Sequence, residues 1–542
     1  MRNKKRMITK VLSVGLAMVS TLSMAAGCGG DGSDSSKPTL KIRVANTGFG
    51  VECIKSVAKA FAQIENINVK VEPTVIMKQD LNKLLADYEM EDIFFVSGTD
   101  ATEVIRSGKF VEIDDVWNAI PEGEDVAVKD KTFEVFKEDY MLSDGHYYSM
   151  PFETQLGGMA YNKNTLDMVY GEGNWTVPTT TDELTSMAKY VSDQGQWGIT
   201  YTTSQPYWEM ASTEWAMQYH GIEEYSKLIA GYYQKEDGSW EFSQNGECLE
   251  QMTGKLRTYE ALYPMMNKST GIPSKYCDVM NFMEMQISFS GLGYGVADKK
   301  KAAFTPTGAW LYNENNMDFV QAKTTPGFFT VVISAIVEKL SFYNENGADF
   351  YTLSDEKRDS YDKALREIIA YVDQVNKGET VDTPTSANGY TITAEDVAKV
   401  TEARMARFIN NQPSVGITHN SKNIELAKKF LIFYASDYAA QIYSSNTHGI
   451  SPFSNNYEIA EDEALFDANV KYLLSGDINV VPSSEHKPYG WLTAFSIEQN
   501  FYDANTNYNT PEKAFNNMFV TQNKTLWKSI VRNSGNADKL TD

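Results

Sequence analysis

The sequence predicts an α/β protein with at least two domains. Its 542 residues are about twice the 250–300 at which a single hydrophobic core stops growing. Strand-like and helix-like patterns alternate along the chain, which is typical of α/β folds. Hydrophobic residues make up 42% of the chain and aromatic residues 12%, so the chain can bury large cores and does not have the composition of a disordered protein.

The overall charge is strongly acidic. The chain has 49 Lys and Arg against 72 Asp and Glu, a formal net charge of −23. A protein that neutralises phosphates needs the opposite sign, so nucleic acid is not expected as a partner.

The first 27 residues have the pattern of a secretory signal. Basic side chains crowd the first ten positions, and an apolar run from Val11 to Ala26 follows. This run is shorter than the roughly 20 residues that a membrane-spanning helix requires. We therefore expect a mature protein that does not span a membrane.

The signal ends in Ala25-Ala26-Gly27-Cys28, which resembles the lipobox of bacterial lipoproteins. This resemblance predicts a lipidated Cys28, palmitate among its acyl chains, followed by a flexible tether over residues 28–37. The protein would then sit on the extracellular face of a bacterial cell membrane, held by its lipid anchor only. Ordinary cleavage near Ala26, which would leave a free cysteine, is the alternative.

A βαβ unit opens the folded part of the chain. Residues 40–44 alternate between apolar and polar, and apolar residues at helical spacing follow over residues 54–64. Residues 69–71 alternate again. Ile93-Phe94-Phe95-Val96 is a continuous apolar run, as expected of a buried parallel strand. Ser97-Gly98-Thr99-Asp100 follows at its carboxyl end, where open α/β sheets bind ligands.

Later segments carry helix signals. Thr180 with Glu183 forms a capping-box pattern, and so does Thr393 with Asp396. An amphipathic set over residues 361–372 ends at Lys377-Gly378, a typical helix C-terminus. The signals at residues 361–378 and at Thr393 belong to extra helices that we expect to be inserted at about residues 335–410.

The standard catalytic motifs are missing or degenerate. The S-x-x-K pattern occurs at residues 56–59 and 186–189, but both lie in amphipathic helix patterns and no K-T-G element accompanies them, so we interpret both as coincidence. No metal-ligand spacing occurs among the histidines and cysteines. We therefore expect no catalytic residues, metal or cofactor. If Cys28 carries the lipid, three cysteines remain, and we expect them to be buried, inert thiols. A disulfide between Cys248 and Cys277 is the alternative.

Aromatic residues next to amides and carboxylates point to carbohydrate binding. Tyr207 and Trp208 follow Pro206, Trp310 follows Gly308-Ala309, and Trp491 follows Pro488-Tyr489-Gly490. A sugar has an apolar face that a ring can cover and a rim of hydroxyls that polar groups can bind. Trp197 and Trp240 are expected in the core instead.

Several segments together resemble the family 1 extracellular solute-binding proteins, the maltose-binding-protein-like receptors of ABC sugar importers. They are Gly48-Phe49-Gly50, residues 92–100, residues 147–153 running into Tyr161-Asn162-Lys163, and most specifically residues 416–430 followed by Gly449-Ile450-Ser451-Pro452. The resemblance implies a two-lobed clamshell with the ligand in the cleft, and three crossings near residues 152–157, 414–417 and 449–452.

The implied lobe limits are residues 38–155 and 415–450 for lobe 1, and residues 156–414, with the helical insertion, and 451–542 for lobe 2. The implied ligand-binding residues are Phe49, Asp100, Glu153, Gln155, Tyr207, Trp208, Trp310 and Trp491.

The resemblance implies a monomeric receptor that captures a carbohydrate, an oligosaccharide by our interpretation, and delivers it to the permease subunits of an ABC transporter. A surface lipoprotein glycoside hydrolase is the enzyme alternative, because carboxylate pairs are defined in space and not by spacing. Capture of a peptide or another non-sugar solute by the same fold is the third.

Overall fold

Two β-sheets form the centres of two lobes in a computed structural model of the chain. The sheets have five and four strands, and helices pack on both. The structure describes residues 36–74, 77–86, 91–96, 105, 107–133, 136–137, 140–142, 144–294, 298–409, 413–447, 449–453, 457, 464–474, 478–480, 497–503 and 508–541. The predicted α/β class is confirmed. Cys28, Asp100 and Trp491 lie outside the described residues.

The first sheet contains the predicted βαβ unit. Its strands are, in spatial order, Asn68–Thr74, Thr39–Ala45, Ile93–Val96, Ser414–Ile417 and Met150–Pro151. The first three run parallel, and Ser414–Ile417 is antiparallel to both of its neighbours. The alternation predicted for the opening strand is observed, because Leu40, Ile42 and Val44 are buried while Lys41 is exposed.

Helices cover both faces of the first sheet, as the buried run at Ile93–Val96 requires. Phe95 faces one apolar core with Val57 and Phe430, while Phe94 faces a smaller one with Leu84. The helices of this lobe are Glu52–Glu65, Met77–Leu85, Asp114–Asn118, Val128–Lys131, Ile424–Tyr434 and Asp437–Thr447.

The second sheet lies at the centre of the other lobe. Its strands are, in spatial order, Pro326–Phe329, Gly157–Asn162, Ala302–Gly308 and Trp197–Ile199. Short two-stranded ladders join Tyr232–Gln234 with Trp240–Phe242, Ser386–Ala387 with Tyr390–Thr391, and Ala406–Arg407 with Asn479–Val480.

Most helices of the chain pack around this second sheet. The α-helices are Lys163–Tyr170, Thr181–Asp193, Glu209–His220, Ile222–Ile229, Glu247–Gln251, Thr253–Met266, Phe282–Ile287, Leu311–Ala322, Asp355–Asn376, Ala394–Arg404, Ala464–Leu473, Ile497–Asp503, Pro511–Lys513 and Asn523–Asn533. Shorter 3₁₀ and π segments are Lys268–Thr270, Ser288–Leu292, Ser334–Lys339, Phe350–Thr352, Ala514–Gln522 and Ala537–Lys539.

The predicted helix boundaries are largely confirmed. Thr393 and Asp396 form a complete capping box, and Thr180 accepts a hydrogen bond from the Glu183 amide. Glu183 itself binds the Thr179 amide and not that of Thr180, so the second box is incomplete. The helix Asp355–Asn376 ends at Lys377, followed by Gly378 with a φ of +81°.

The chain passes between the two sheets at closely spaced points. It leaves the first sheet at Pro151 and enters the second at Gly157. Leu156 forms an antiparallel bridge with Ile409, and Gly157 donates its amide to the Phe408 carbonyl at 2.8 Å. Ser414–Ile417 lies wholly within the first sheet, so the chain returns there before Ser414.

The three described cysteines, Cys53, Cys248 and Cys277, are free and buried, as expected of inert thiols. None of the described helices is long and apolar enough to cross a membrane.

Candidate functional site

A loop of the first lobe touches the second lobe directly. Thr47 and Gly48 follow the carboxyl end of the strand Thr39–Ala45, the edge at which open α/β sheets bind ligands. Asn313 of the helix Leu311–Ala322 donates its side-chain amide to the Gly48 carbonyl at 2.7 Å. This hydrogen bond joins the two lobes.

Trp310 lies at the same junction. A Cβ placed on Gly48 would be 2.7 Å from Cδ1 of Trp310, so only a glycine allows the loop this close. The other end of the indole covers Gly308, where a Cβ would lie 2.1 Å from Cζ3. Trp310 is 9% exposed. Its indole packs between Gly308 of the sheet and Gly48 of the first-lobe loop.

Phe49 packs deeper, against Gly449. Its ring is 2% exposed, and a Cβ on Gly449 would lie 2.9 Å from it. Phe49 belongs to one apolar cluster with Trp310 and Ile450. The structure thus brings Phe49 and Trp310 into the same cluster across the lobe junction.

Glu153 and Gln155 lie inside the first crossing. Thr47 donates its hydroxyl to Oε2 of Glu153 at 3.0 Å, and Gln155 donates its side-chain amide to Oε1. Burial raises the pKa of Glu153 to about 7, although these two hydrogen bonds favour the ionised form. The three side chains join the first-lobe loop to the crossing segment.

Tyr207 and Trp208 are neighbours in sequence but differ in burial. Tyr207 is half-buried, and burial together with the nearby Glu314 carboxylate raises its pKa. Trp208 is 1% exposed and meets Tyr201 edge to face, with ring centroids 5.9 Å apart, inside the core of the second lobe. Because it offers no surface to a ligand, the structure favours a packing role for Trp208.

Sequence reasoning missed the polar wall beside Trp310. Glu314 accepts a hydrogen bond from the side-chain amide of the buried Gln286 at 2.7 Å. Glu314 is accessible to solvent, yet surrounding protein raises the pKa of its carboxyl group. Asn313 and Glu314 stand one helical turn after Trp310, but this spacing alone does not distinguish them from other polar residues.

Metal-ligating side chains gather elsewhere among the described residues. Glu112, Asp114 and His146 of the first lobe have ligand atoms within 4.8 Å of one another. His146 Nδ1 lies 2.8 Å from an Asp114 carboxylate oxygen, and the neighbouring carboxylates raise the pKa of this exposed histidine. An ion pair accounts for this arrangement without a metal.

Comparisons with known proteins agree with this architecture. The family model for bacterial extracellular solute-binding proteins matches residues 53–356, more than half of the chain. No curated protein sequence matches this chain.

Solved structures share the fold at low sequence identity. The GacH receptor of Streptomyces glaucescens is similar with a TM-score of 0.53 and 12% identity over 91% of this chain and 98% of that one. A cyclic α-maltosyl-1,6-maltose binding protein from Arthrobacter globiformis has a TM-score of 0.51 and 12% identity, covering 92% and 99%. RafE from Streptococcus pneumoniae has a TM-score of 0.51 and 12% identity, covering 93% and 98%.

Proposed function

Because this chain belongs to the bacterial extracellular solute-binding protein family, we propose that it captures a carbohydrate between its two lobes and delivers it to an ABC transporter. The single observation that carries the proposal is the junction at Gly48, where Trp310 and the Glu314–Gln286 pair face a loop of the other lobe. GacH has been solved with acarbose, and the Arthrobacter protein is named for a cyclic maltosaccharide. Both support a carbohydrate ligand.

The second lobe supplies the two kinds of group that a sugar needs. Trp310 and Tyr207 offer flat rings for the apolar face of a pyranose. Glu314 offers carboxylate oxygens to its hydroxyls, and Gln286 holds that carboxylate in place. Hydrogen bonds to a charged group contribute roughly 1.5–3 kcal/mol each, so Glu314 supplies affinity while the rings fix orientation.

Closure supplies the first-lobe contacts. In this proposal the contact between Gly48 and Asn313, at 2.7 Å, belongs to the closed form. Sugar that touches both lobes then shifts the population towards that form by its differential affinity. The three crossings near residues 152–157, before Ser414 and near 449–452 would be the hinges. We keep the predicted lobes, residues 38–155 with 415–450 and residues 156–414 with 451–542, except that Ser414 moves to lobe 1 because it pairs within the first sheet.

The remaining parts of the proposal concern delivery. A lipidated Cys28 and a tether over residues 28–37 would hold a monomeric receptor at the outer face of the membrane, near the permease subunits. Asp100 and Trp491 keep the roles predicted from the sequence, as a first-lobe hydroxyl acceptor and a further ring.

The proposal requires no covalent step. Glu153, whose raised pKa would suit a general acid, has both carboxylate oxygens occupied by Thr47 and Gln155. We therefore assign it to the crossing and not to catalysis. Incubation of the purified protein with the glycan it binds should leave that glycan intact; shortened products would favour a glycoside hydrolase.

A ligand screen followed by calorimetry tests the function. Thermal shift with neutral oligosaccharides and with peptides should show stabilisation by one class of oligosaccharide. Trp310→Ala should then weaken binding of that sugar at least about tenfold. Trp175→Ala is the matched control, since Trp175 is half-buried in the same lobe and hydrogen-bonds Asp167 at 2.8 Å. Stabilisation by peptides alone, or equal affinity in both variants, would contradict the proposal.

A further inference from the structure

The second lobe contains a cavity of about 400 Å³ away from the lobe junction. It lies between the helix Ile222–Ile229, the strands Tyr232–Gln234 and Trp240–Phe242, and the helix Ala394–Arg404. The residues assigned above to the carbohydrate site do not line it. Its volume falls within the roughly 300–1,000 Å³ of small-molecule sites.

Two aromatic rings form part of the wall. Trp240 is half-buried, which differs from its predicted core position, and Lys227 Nζ lies 5.0 Å above its ring. Tyr219 is buried, with Lys339 Nζ 4.7 Å above its ring. Lys227 pairs with Glu223 at 2.7 Å, and both side chains are open to solvent. Such surface pairs contribute little stability, so Lys227 can move aside and uncover the Trp240 face.

The charges around the cavity balance. Three lysines and three glutamates line it: Lys227, Lys339, Lys399, Glu223, Glu224 and Glu402.

The histidine in the wall adds no charge. His220 Nε2 accepts the Gly254 amide hydrogen at 2.9 Å, and Nδ1 donates to Glu224 at 2.6 Å. A nitrogen that accepts carries no proton, so the imidazole is neutral. A charged ligand would therefore find no net opposite charge in this cavity.

We propose that this cavity is a second binding site, which takes one unit of a neutral saccharide stacked on Trp240. The ring covers the apolar face of the sugar, while the surrounding ammonium and carboxylate groups donate to and accept from its hydroxyls. The inference goes beyond the proposed function and does not depend on it. If one long glycan fills both sites, its binding in this cavity raises the effective concentration of the rest of the glycan at the lobe junction.

Saturation-transfer NMR on the full chain tests this site. All variants carry Trp310→Ala, which removes the lobe-junction contact, and the probes are maltose, raffinose, glucuronate and glucosamine. We expect transfer to maltose or raffinose, reduced at least fivefold by Trp240→Ala and retained in Trp175→Ala. Lys339→Gln, at an exposed position, leaves the cavity with a net negative charge and should raise the glucosamine signal at least twofold relative to maltose.

Other outcomes overturn the inference. Equal transfer signals in Trp240→Ala and Trp175→Ala would show that the Trp240 ring does not bind the sugar. Stronger binding of glucuronate or glucosamine than of the neutral sugars, before the lysine is changed, would contradict the charge argument. An unchanged ratio in Lys339→Gln would place the sugar elsewhere. Because every variant carries Trp310→Ala, any binding that remains at the lobe junction is the same in all of them and cannot produce a difference between them.

Discussion

Gly48→Ala tests the contact between the lobes. The added methyl group would lie 2.7 Å and 2.8 Å from two carbons of the Trp310 ring and 3.0 Å from Oε1 of Glu314, against about 3.5–4.0 Å for normal carbon contacts. Trp310 cannot retreat, because Gly308 packs against the other end of its indole. Overpacking of this kind costs about 1–3 kcal/mol.

This cost falls on the closed form alone. In the proposed open form the loop would stand away from Trp310, and no positive φ at Gly48 opposes an alanine. The closed-to-open ratio should therefore fall about 5- to 150-fold, and the dissociation constant for sugar should rise by up to the same factor in titration calorimetry. Small-angle scattering without sugar should show a larger radius of gyration than the unmodified chain.

A double-mutant cycle isolates the contact. In a Trp310→Ala background the methyl group meets no ring, so Gly48→Ala should change sugar affinity by less than about twofold. Unchanged or tighter binding in the single Gly48→Ala variant would refute the closed arrangement as the sugar-binding form.

Three further predictions concern the interior of the lobes. Burial raises the pKa of Glu153 from its ordinary 4.5 to about 7, so the folded state holds a proton that the unfolded state releases, and stability falls as pH rises through this window. The stabilisation produced by Glu153→Gln should therefore grow by up to about 3 kcal/mol between pH 4.5 and 7; a constant difference in melting temperature would contradict this. In a Cys28→Ser chain, a thiol reagent should label the three buried cysteines only after denaturation, and labelling of the native chain would refute their burial. Leu365→Ala, at a fully buried position, should lower the free energy of unfolding by about 2–5 kcal/mol, whereas Met317→Ala, 82% exposed, should change it by less than about 0.5 kcal/mol; equal losses would contradict the core assignment.

Local patterns were enough to predict the secondary structure that frames the site. Alternation at Leu40, Ile42 and Val44 identifies a half-buried strand because successive side chains face opposite sides of a sheet. The box at Thr393 and Asp396 identifies a helix start because its side chains satisfy orphan amides of the first turn. Such signals depend only on residues that are close in sequence, so they can be recognised without knowing the tertiary structure.

The polar wall of the site could not be found in this way. Glu314 is one of 72 acidic residues, and only the packing of its helix against Gln286 and the Gly48 loop distinguishes it. The rings show the same limit, because Trp208 sits in the core and Trp240 lines a cavity, the reverse of what their sequence neighbours indicate. Exposure is a property of the folded chain and not of the local sequence.

A crystal structure with the oligosaccharide found in the screen tests the central claim most directly. We predict a pyranose ring within about 4 Å of Trp310 or Tyr207, a hydroxyl bound to the Glu314 carboxylate, and Asn313 still donating to the Gly48 carbonyl. Sugar bound elsewhere, with the junction between the lobes empty, would contradict it.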